Sequence, residues 1–121
     1  MDTLYFDRLN IGGSLTAVLH SFVTNTPILI DKPRFPFELD FCPPEWDLSF
    51  LGFPRTMPVN KLHLWERITF LMSMAGMVVF PNNVQDLRTS NFSVNIVTTD
   101  KQRIKIMYKD LIVFDEDKKD Y

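Results

Sequence analysis

The chain has 121 residues, the length of a single domain, and its hydrophobic fraction of 45% is ordinary for a globular protein and argues against disorder. A net charge of −2, with lysines and arginines spread along the chain, argues against a dedicated nucleic-acid-binding surface. One cysteine, the absence of a basic start and apolar runs far short of the ~20 residues of a membrane span predict a soluble, cytoplasmic protein without a signal peptide.

The first part of the chain predicts a βαβ unit that ends at residue 31. The apolar run Leu4–Phe6 predicts a strand, and the segment 15–23 carries apolar side chains on most sides of a helix. Ser14 is the expected N-cap of this helix, and the Asn-Thr-Pro sequence that follows is expected to stop it. The unbroken apolar run Ile28–Ile30 is typical of a strand in a parallel sheet that helices cover.

The next segment, residues 32–59, differs in composition from the rest of the chain. It holds most of the prolines, which exclude a long helix, and five of the eleven phenylalanines. Its aromatic residues are Phe35, Phe37, Phe41, Trp46, Phe50 and Phe53. A flexible linker would lack such side chains, so we predict an ordered, meandering loop that packs on the rest of the domain.

Residues 60–115 predict a second helix followed by a β-meander. Asn60 is a suitable N-cap, and Gly76 stands where a left-handed residue would end the helix. Strands are predicted at Met77–Phe80, Val84–Arg88, 92–96, 104–108 and 111–114. The last of these is unbroken and apolar, so we expect it to return to the buried parallel sheet, ahead of a charged tail at 116–121. The sequence thus predicts one α/β domain of two or three layers, a Rossmann-like βαβ with a C-terminal β-meander.

One motif in the sequence carries chemical meaning. Gly12, Gly13 and Ser14 lie between the first strand and the first helix, Ala17 follows in the helix, and Asp31 ends the next strand. This is the layout of the dinucleotide fingerprint G-x-G-x-x-G/A with an acidic residue about 20 positions later. In that arrangement the glycines allow a tight turn and a close approach of a pyrophosphate to the helix N-terminus, and the carboxylate binds a ribose hydroxyl.

These residues resemble the N-terminal dinucleotide-binding domain of FAD-dependent oxidoreductases. Gly12 matches the first glycine of that family, Ala17 the third small residue and Asp31 the ribose-binding acid, and the final strand of the meander is also similar. The resemblance implies that FAD would be held by Gly12, Gly13, Ser14 and Asp31. Ser14 replaces the second glycine, and 121 residues leave no room for a substrate domain, so the domain is expected to be degenerate or truncated. On its overall pattern the chain also resembles uncharacterised proteins of marine phage and metagenome origin.

A second hypothesis is a non-catalytic interaction module. Under it, the aromatic side chains Phe35, Phe37, Trp46 and Phe50 would meet a second copy of the chain or a missing C-terminal domain. Both hypotheses assign no catalytic residue and no metal to this chain.

Other chemically active side chains have simpler interpretations. His20 and His63 are single helix residues without partners at metal-ligand spacing, and Cys42 lacks a neighbouring base. The carboxylates of the proline-rich segment could in principle do acid–base work, but a solvated loop face is favoured. They are Glu38, Asp40, Glu45 and Asp47.

Overall fold

The computed structural model describes residues 2–36, 39–81 and 84–114. In these ranges the chain forms two α-helices and six strands, with one 3₁₀ turn at Ser49–Leu51. The elements in chain order are β1 Asp2–Ile11, α1 Leu15–Thr24, β2 Ile28–Leu29, α2 Lys61–Met74, β3 Val78–Val79, β4 Val84–Ser90, β5 Ser93–Thr98 and β6 Arg103–Val113. Neither α-helix is long and apolar enough to cross a membrane, in the part of the chain described.

All six strands belong to one sheet in the order β3-β2-β1-β6-β5-β4. The strand β1 is parallel to both of its neighbours, β2 and β6, and β2 is parallel to β3. The strands β4, β5 and β6 form an antiparallel meander. This topology confirms the predicted Rossmann-like α/β fold, in which the apolar segments 28–30 and 111–114 enter one parallel sheet.

The last strand differs from the prediction, which divided it into 104–108 and 111–114. It is one strand, β6, whose central residues remain paired with β1 in parallel register. Asp110 is the register partner of Arg8, and Lys109 Nζ lies 3.7 Å from the Asp7 carboxylate. In β1, the charged residues Asp7 and Arg8 interrupt the apolar pattern in the same way. The sequence therefore predicts a first strand of three residues, whereas β1 has ten.

Two apolar clusters lie on opposite faces of the sheet. The first joins α1 and α2 to the parallel strands and contains Ala17, Val18, Ile28, Ile30, Leu64, Trp65 and Ile68. The second contains Leu9, Ile11, Leu29, Val94, Ile96 and Ile106. Because Leu29 of β2 shares this second cluster with residues of β5, the sheet curls so that its antiparallel half covers the face opposite to the helices. The alternation of Ile28, Leu29 and Ile30 between the two clusters confirms a strand buried on both faces.

Both helices begin and end where the sequence predicts. The Ser14 hydroxyl accepts a hydrogen bond from the Ala17 amide at 3.1 Å, and the Asn60 side chain accepts one from the Leu62 amide at 2.7 Å. The helix α1 stops at Asn25, which has the left-handed φ of 54°, and Gly76 beyond α2 has a φ of +72°. These capping residues determine where each helix begins and ends.

A buried polar contact joins α1 to the centre of the sheet. The Asn10 side-chain amide donates to the Ser21 hydroxyl at 2.9 Å, and that hydroxyl donates to the Ala17 carbonyl at 2.8 Å. Asn10 is 1% exposed and Ser21 is fully buried. Polar groups buried at this depth require such partners, so the contact fixes the position of α1 on β1.

The proline-rich segment packs along α2. The Cys42 amide donates to the Val59 carbonyl at 2.8 Å, and Phe41 forms an antiparallel bridge with Asn60. The Arg67 guanidinium of α2 donates to the Leu51 carbonyl at 2.9 Å, and the Leu51 side chain is buried in the helix-side cluster. The segment is therefore tied to the domain by backbone hydrogen bonds and by a few apolar side chains.

Candidate functional site

The glycine turn, residues 12–14, lies at the carboxyl end of β1. The Gly12 amide donates to the Leu29 carbonyl of β2 at 3.1 Å, and the Phe114 amide donates to the Ile11 carbonyl at 3.1 Å. The turn therefore sits between the ends of β2 and β6. β2, the next strand in the chain, pairs with one edge of β1, and β6 pairs with the other edge. The strand order therefore reverses at β1. Open α/β sheets bind their ligands outside the carboxyl ends of the strands at such a reversal.

Gly13 is held on one side by two hydrogen bonds to its carbonyl oxygen. The indole Nε1 of Trp65 donates to this oxygen at 2.9 Å, and the Arg34 amide donates to it at 3.0 Å. A Cβ at position 13 would lie 1.9 Å from the Lys32 carbonyl oxygen. Residue 13 must therefore be glycine, because the chain that follows β2 lies directly on the turn.

No local sequence pattern indicates either donor to the Gly13 carbonyl. A buried tryptophan does require a partner for its N–H, and Trp65 is the one indole in the predicted second helix, which is the only signal that pointed to this contact.

Ser14 joins the turn to α1. Its backbone is in the extended region, with φ −78° and ψ 165°, and its hydroxyl caps the helix. The amides that follow, those of Leu15 and Thr16, lie in the first turn, where a helix offers no internal acceptor. The first turn of α1 holds no acidic side chain, so the positive end of the helix dipole is not neutralised there. This is an environment that attracts an anion.

Asp31 lies two residues beyond Leu29, the last residue of β2, which is the strand next to β1. Its side chain is half buried, and the segment from Lys32 to Arg34 then returns over Gly13. The fold thus brings three of the predicted residues together in one turn, and places the fourth at the carboxyl end of the adjacent parallel strand.

The other candidate residues are dispersed. His20 is exposed and its ring lies 5.3 Å from that of Phe114. Asp40 pairs with Lys61 at 3.4 Å, and Asp47 pairs with Arg55 at 3.1 Å. Glu38 lies outside the described residues. Among the side chains that are described, no group of three or more His, Cys, Asp or Glu is arranged to hold a metal ion.

Cys42 is a buried thiol in the proline-rich segment. Desolvation by burial raises its pKa, and the nearby Asp40 carboxylate adds to this, against an opposing effect of Lys61. A thiol with a raised pKa is a poor nucleophile at neutral pH, so the structure gives Cys42 a packing role.

Several rings of the proline-rich segment are exposed. The exposed fraction is 60% for Phe35, 44% for Trp46 and 70% for Phe50, while Phe37 lies outside the described residues. Trp46 lines a cavity of about 660 Å³ together with Phe41 and Met57. A shallower cavity of about 740 Å³ follows the outer face of α2. Neither lining includes a residue of the glycine turn, although Trp65, which donates to the Gly13 carbonyl, lines the second cavity.

The fold has counterparts among solved structures. The chain is similar to a flavoprotein/dehydrogenase from Cytophaga hutchinsonii, with a TM-score of 0.58 and 13% identity over 90% of this chain and 38% of that chain. It also matches a flavin-containing monooxygenase from Stenotrophomonas maltophilia, with a TM-score of 0.48 and 14% identity over 94% of this chain and 38% of that chain. No protein-family model matches the chain, and no curated protein does.

The likeness to the flavoprotein/dehydrogenase shows the fold of this chain, a Rossmann-like α/β domain. The chain spans less than two fifths of the length of that protein. A shared fold at 13% identity does not carry an activity with it, so function has to be argued from the site.

Proposed function

We propose that this chain is a nucleotide-binding domain related to the FAD-binding domains of oxidoreductases. One observation carries the proposal: the glycine turn opens α1 at the carboxyl end of β1, and Asp31 lies two residues beyond the carboxyl end of the neighbouring parallel strand. The similarity to the flavoprotein/dehydrogenase supports it, because the match includes most of this chain.

The donor set of the turn fits a pyrophosphate. The Gly12 amide already donates to the Leu29 carbonyl, so the backbone amides of Ser14 and Leu15 would hold the phosphates. The carboxylate of Asp31 would accept hydrogen bonds from a ribose. The absence of an acidic side chain in the first turn of α1 leaves the site attractive to a dianion. The flavin, when bound, would supply the electron-transfer chemistry, while this chain binds and orients the nucleotide.

Ser14 is the one side chain that opposes close approach. A Cβ stands there where the family resemblance places a glycine, so the phosphates would lie farther from the backbone than in an intact fingerprint. Its hydroxyl is already used as the cap of α1. Binding is accordingly expected to be weak in this chain and to improve when the Cβ is removed.

Two substitutions at position 14 distinguish the effect of the Cβ from the effect of the hydroxyl. Ser14→Gly removes both, whereas Ser14→Ala removes only the hydroxyl, and glycine is nearly as good a cap as serine while alanine is not. We expect calorimetric titration with FAD and with ADP to show tighter binding to Ser14→Gly and no gain for Ser14→Ala. Absence of binding to both the native chain and Ser14→Gly would disprove the proposal.

A charge-removing variant tests the ribose contact. Asp31→Asn should lower the affinity for ADP about fivefold, because hydrogen bonds to charged groups are worth roughly 1 kcal/mol more than neutral ones. Asp86→Asn is the matched control, since Asp86 lies on β4 in an exposed pair with Arg88. Equal losses of ADP affinity in the two variants would show that Asp31 does not contact the ligand.

A second candidate function is self-association through the proline-rich segment. The observation that favours it is the exposure of Phe35, Trp46 and Phe50, with Trp46 at the rim of a cavity large enough for a side chain. The occupant would be the same segment of a second copy. Phe50→Ser should then lower the dimer fraction in sedimentation velocity, whereas Phe92→Ser, a ring 64% exposed in the β4–β5 turn, should not. A native chain that stays monomeric at every concentration would exclude this function.

A further inference from the structure

The carbonyl of Gly13 receives two donors from the same side of the turn. The indole N–H of Trp65 reaches it from α2, 52 residues away in the sequence, and the Arg34 amide reaches it from the segment after β2. Trp65 is 4% exposed, and the edge of its ring packs against Phe35 at a centroid distance of 4.7 Å. The indole is therefore held firmly in a position where it can orient one peptide bond of the turn.

That peptide bond joins Gly13 to Ser14. A trans peptide is planar, so its C=O and its N–H point in opposite directions. When Trp65 and Arg34 fix the carbonyl of Gly13, they also turn the Ser14 N–H away from themselves. Two donors on the carbonyl further polarise the peptide and strengthen the N–H as a donor.

We infer that Trp65 is a positioning residue for phosphate binding at the glycine turn. It acts through the Gly13 carbonyl, and the group that meets the phosphate of a nucleotide is the Ser14 amide. This inference rests on the proposed function. A buried indole that merely satisfies its N–H would contribute to stability alone, and the experiment below separates the two roles.

The experiment compares two Trp→Phe variants, since the chain contains two tryptophans. Trp65→Phe removes the donor to Gly13, and Trp46→Phe makes the same chemical change at a 44% exposed site in the proline-rich segment. We expect Trp65→Phe to weaken ADP binding about fivefold, the effect of one hydrogen bond, and Trp46→Phe to leave it unchanged. In the ligand-free protein, the ¹³C resonance of the Gly13 carbonyl should move upfield in Trp65→Phe alone.

A second substitution covers the case in which Trp65→Phe does not fold. In the Trp46→Phe background, replacing Trp65 by 3-benzothienylalanine exchanges the N–H for a sulfur atom and preserves the shape of the ring. The same loss of ADP affinity and the same carbonyl shift are expected.

The outcomes separate the inference from the proposed function. If the native chain binds ADP and the sulfur analogue binds it equally well, Trp65 has only a structural role and the inference is wrong. If the native chain binds neither ADP nor FAD, the proposed function fails, and the inference fails with it.

Discussion

Replacing Gly13 by alanine tests the packing at the base of the glycine turn. The added Cβ would lie 1.9 Å from the Lys32 carbonyl oxygen and 3.1 Å from the Pro33 Cα, whereas ordinary contacts begin at 3.4 Å. Both neighbours are backbone atoms, so no side chain can rotate away. The segment that follows β2 would have to move by about 1.5 Å, the difference between the ordinary contact and the first of these distances.

The cost has two parts. Overpacking that displaces backbone costs about 1–3 kcal/mol, and the displacement would break the hydrogen bond from the Arg34 amide to Gly13, worth about 1 kcal/mol. We expect Gly13→Ala to lower the free energy of unfolding by about 3 kcal/mol and the melting temperature by about 10 °C.

The matched control is Gly76→Ala. Gly76 has a φ of +72° and nothing lies within 4 Å of an added Cβ, so only the left-handed backbone penalises alanine there, by about 1–2 kcal/mol. Urea denaturation followed by circular dichroism measures both variants. If the free energy of unfolding of Gly13→Ala is no lower than that of Gly76→Ala, residues 32–33 do not lie against the turn as described.

Three further predictions concern groups elsewhere in the fold. Asn10→Ala should cost about 1–3 kcal/mol of unfolding free energy, because the buried amide donates to a serine of α1 at 2.9 Å, whereas Asn95→Ala on the exposed face of β5 should cost little. Burial raises the pKa of Cys42, so Ellman's reagent at pH 8 should modify the folded chain far more slowly than the urea-unfolded chain, and equal rates would contradict its burial. The pKa of Asp47 is lowered, chiefly by hydrogen bonds from the Ser49 hydroxyl and amide, so its contribution to stability is complete above the unfolded-state pKa of about 3.9 and is lost as the pH falls through the lower folded-state value. Ser49→Ala should raise that pKa in a ¹³C NMR titration.

The sequence predicts the parts of the fold that local chemistry determines. Ser14 and Asn60 cap the two helices because their side chains satisfy backbone amides a few residues away. The apolar run at 28–30 predicts a strand with both faces buried, because it is short, contains β-branched residues and follows Pro27. From these local signals the βαβ unit and its order in the sheet follow.

The parts that depend on distant partners could not be predicted. The length of β6 depends on its pairing with β1, in which Asp110 is the register partner of Arg8, and no local pattern shows that match. The same holds for the candidate site. The sequence predicts that Gly13 is part of a turn. The two groups that donate to its carbonyl, the Trp65 indole and the Arg34 amide, belong to distant parts of the chain and meet only when it folds. The cytoplasmic location and the likeness to marine phage and metagenome proteins remain predictions.

The pairing of β1 with β6 also determines when the sheet can be completed during synthesis. β1 occupies residues 2–11 and its parallel partner β6 residues 103–113, so residues 12–102 separate them. A ribosome delivers β1 before β6, and one edge of β1 stays without its partner until residues 103–113 have been made. Parallel pairing across such a separation carries a high loop-closure cost and slows folding. The nascent chain therefore exposes an unpaired strand edge while residues 12–102 are made, which is the period in which a chaperone would be of most use to it.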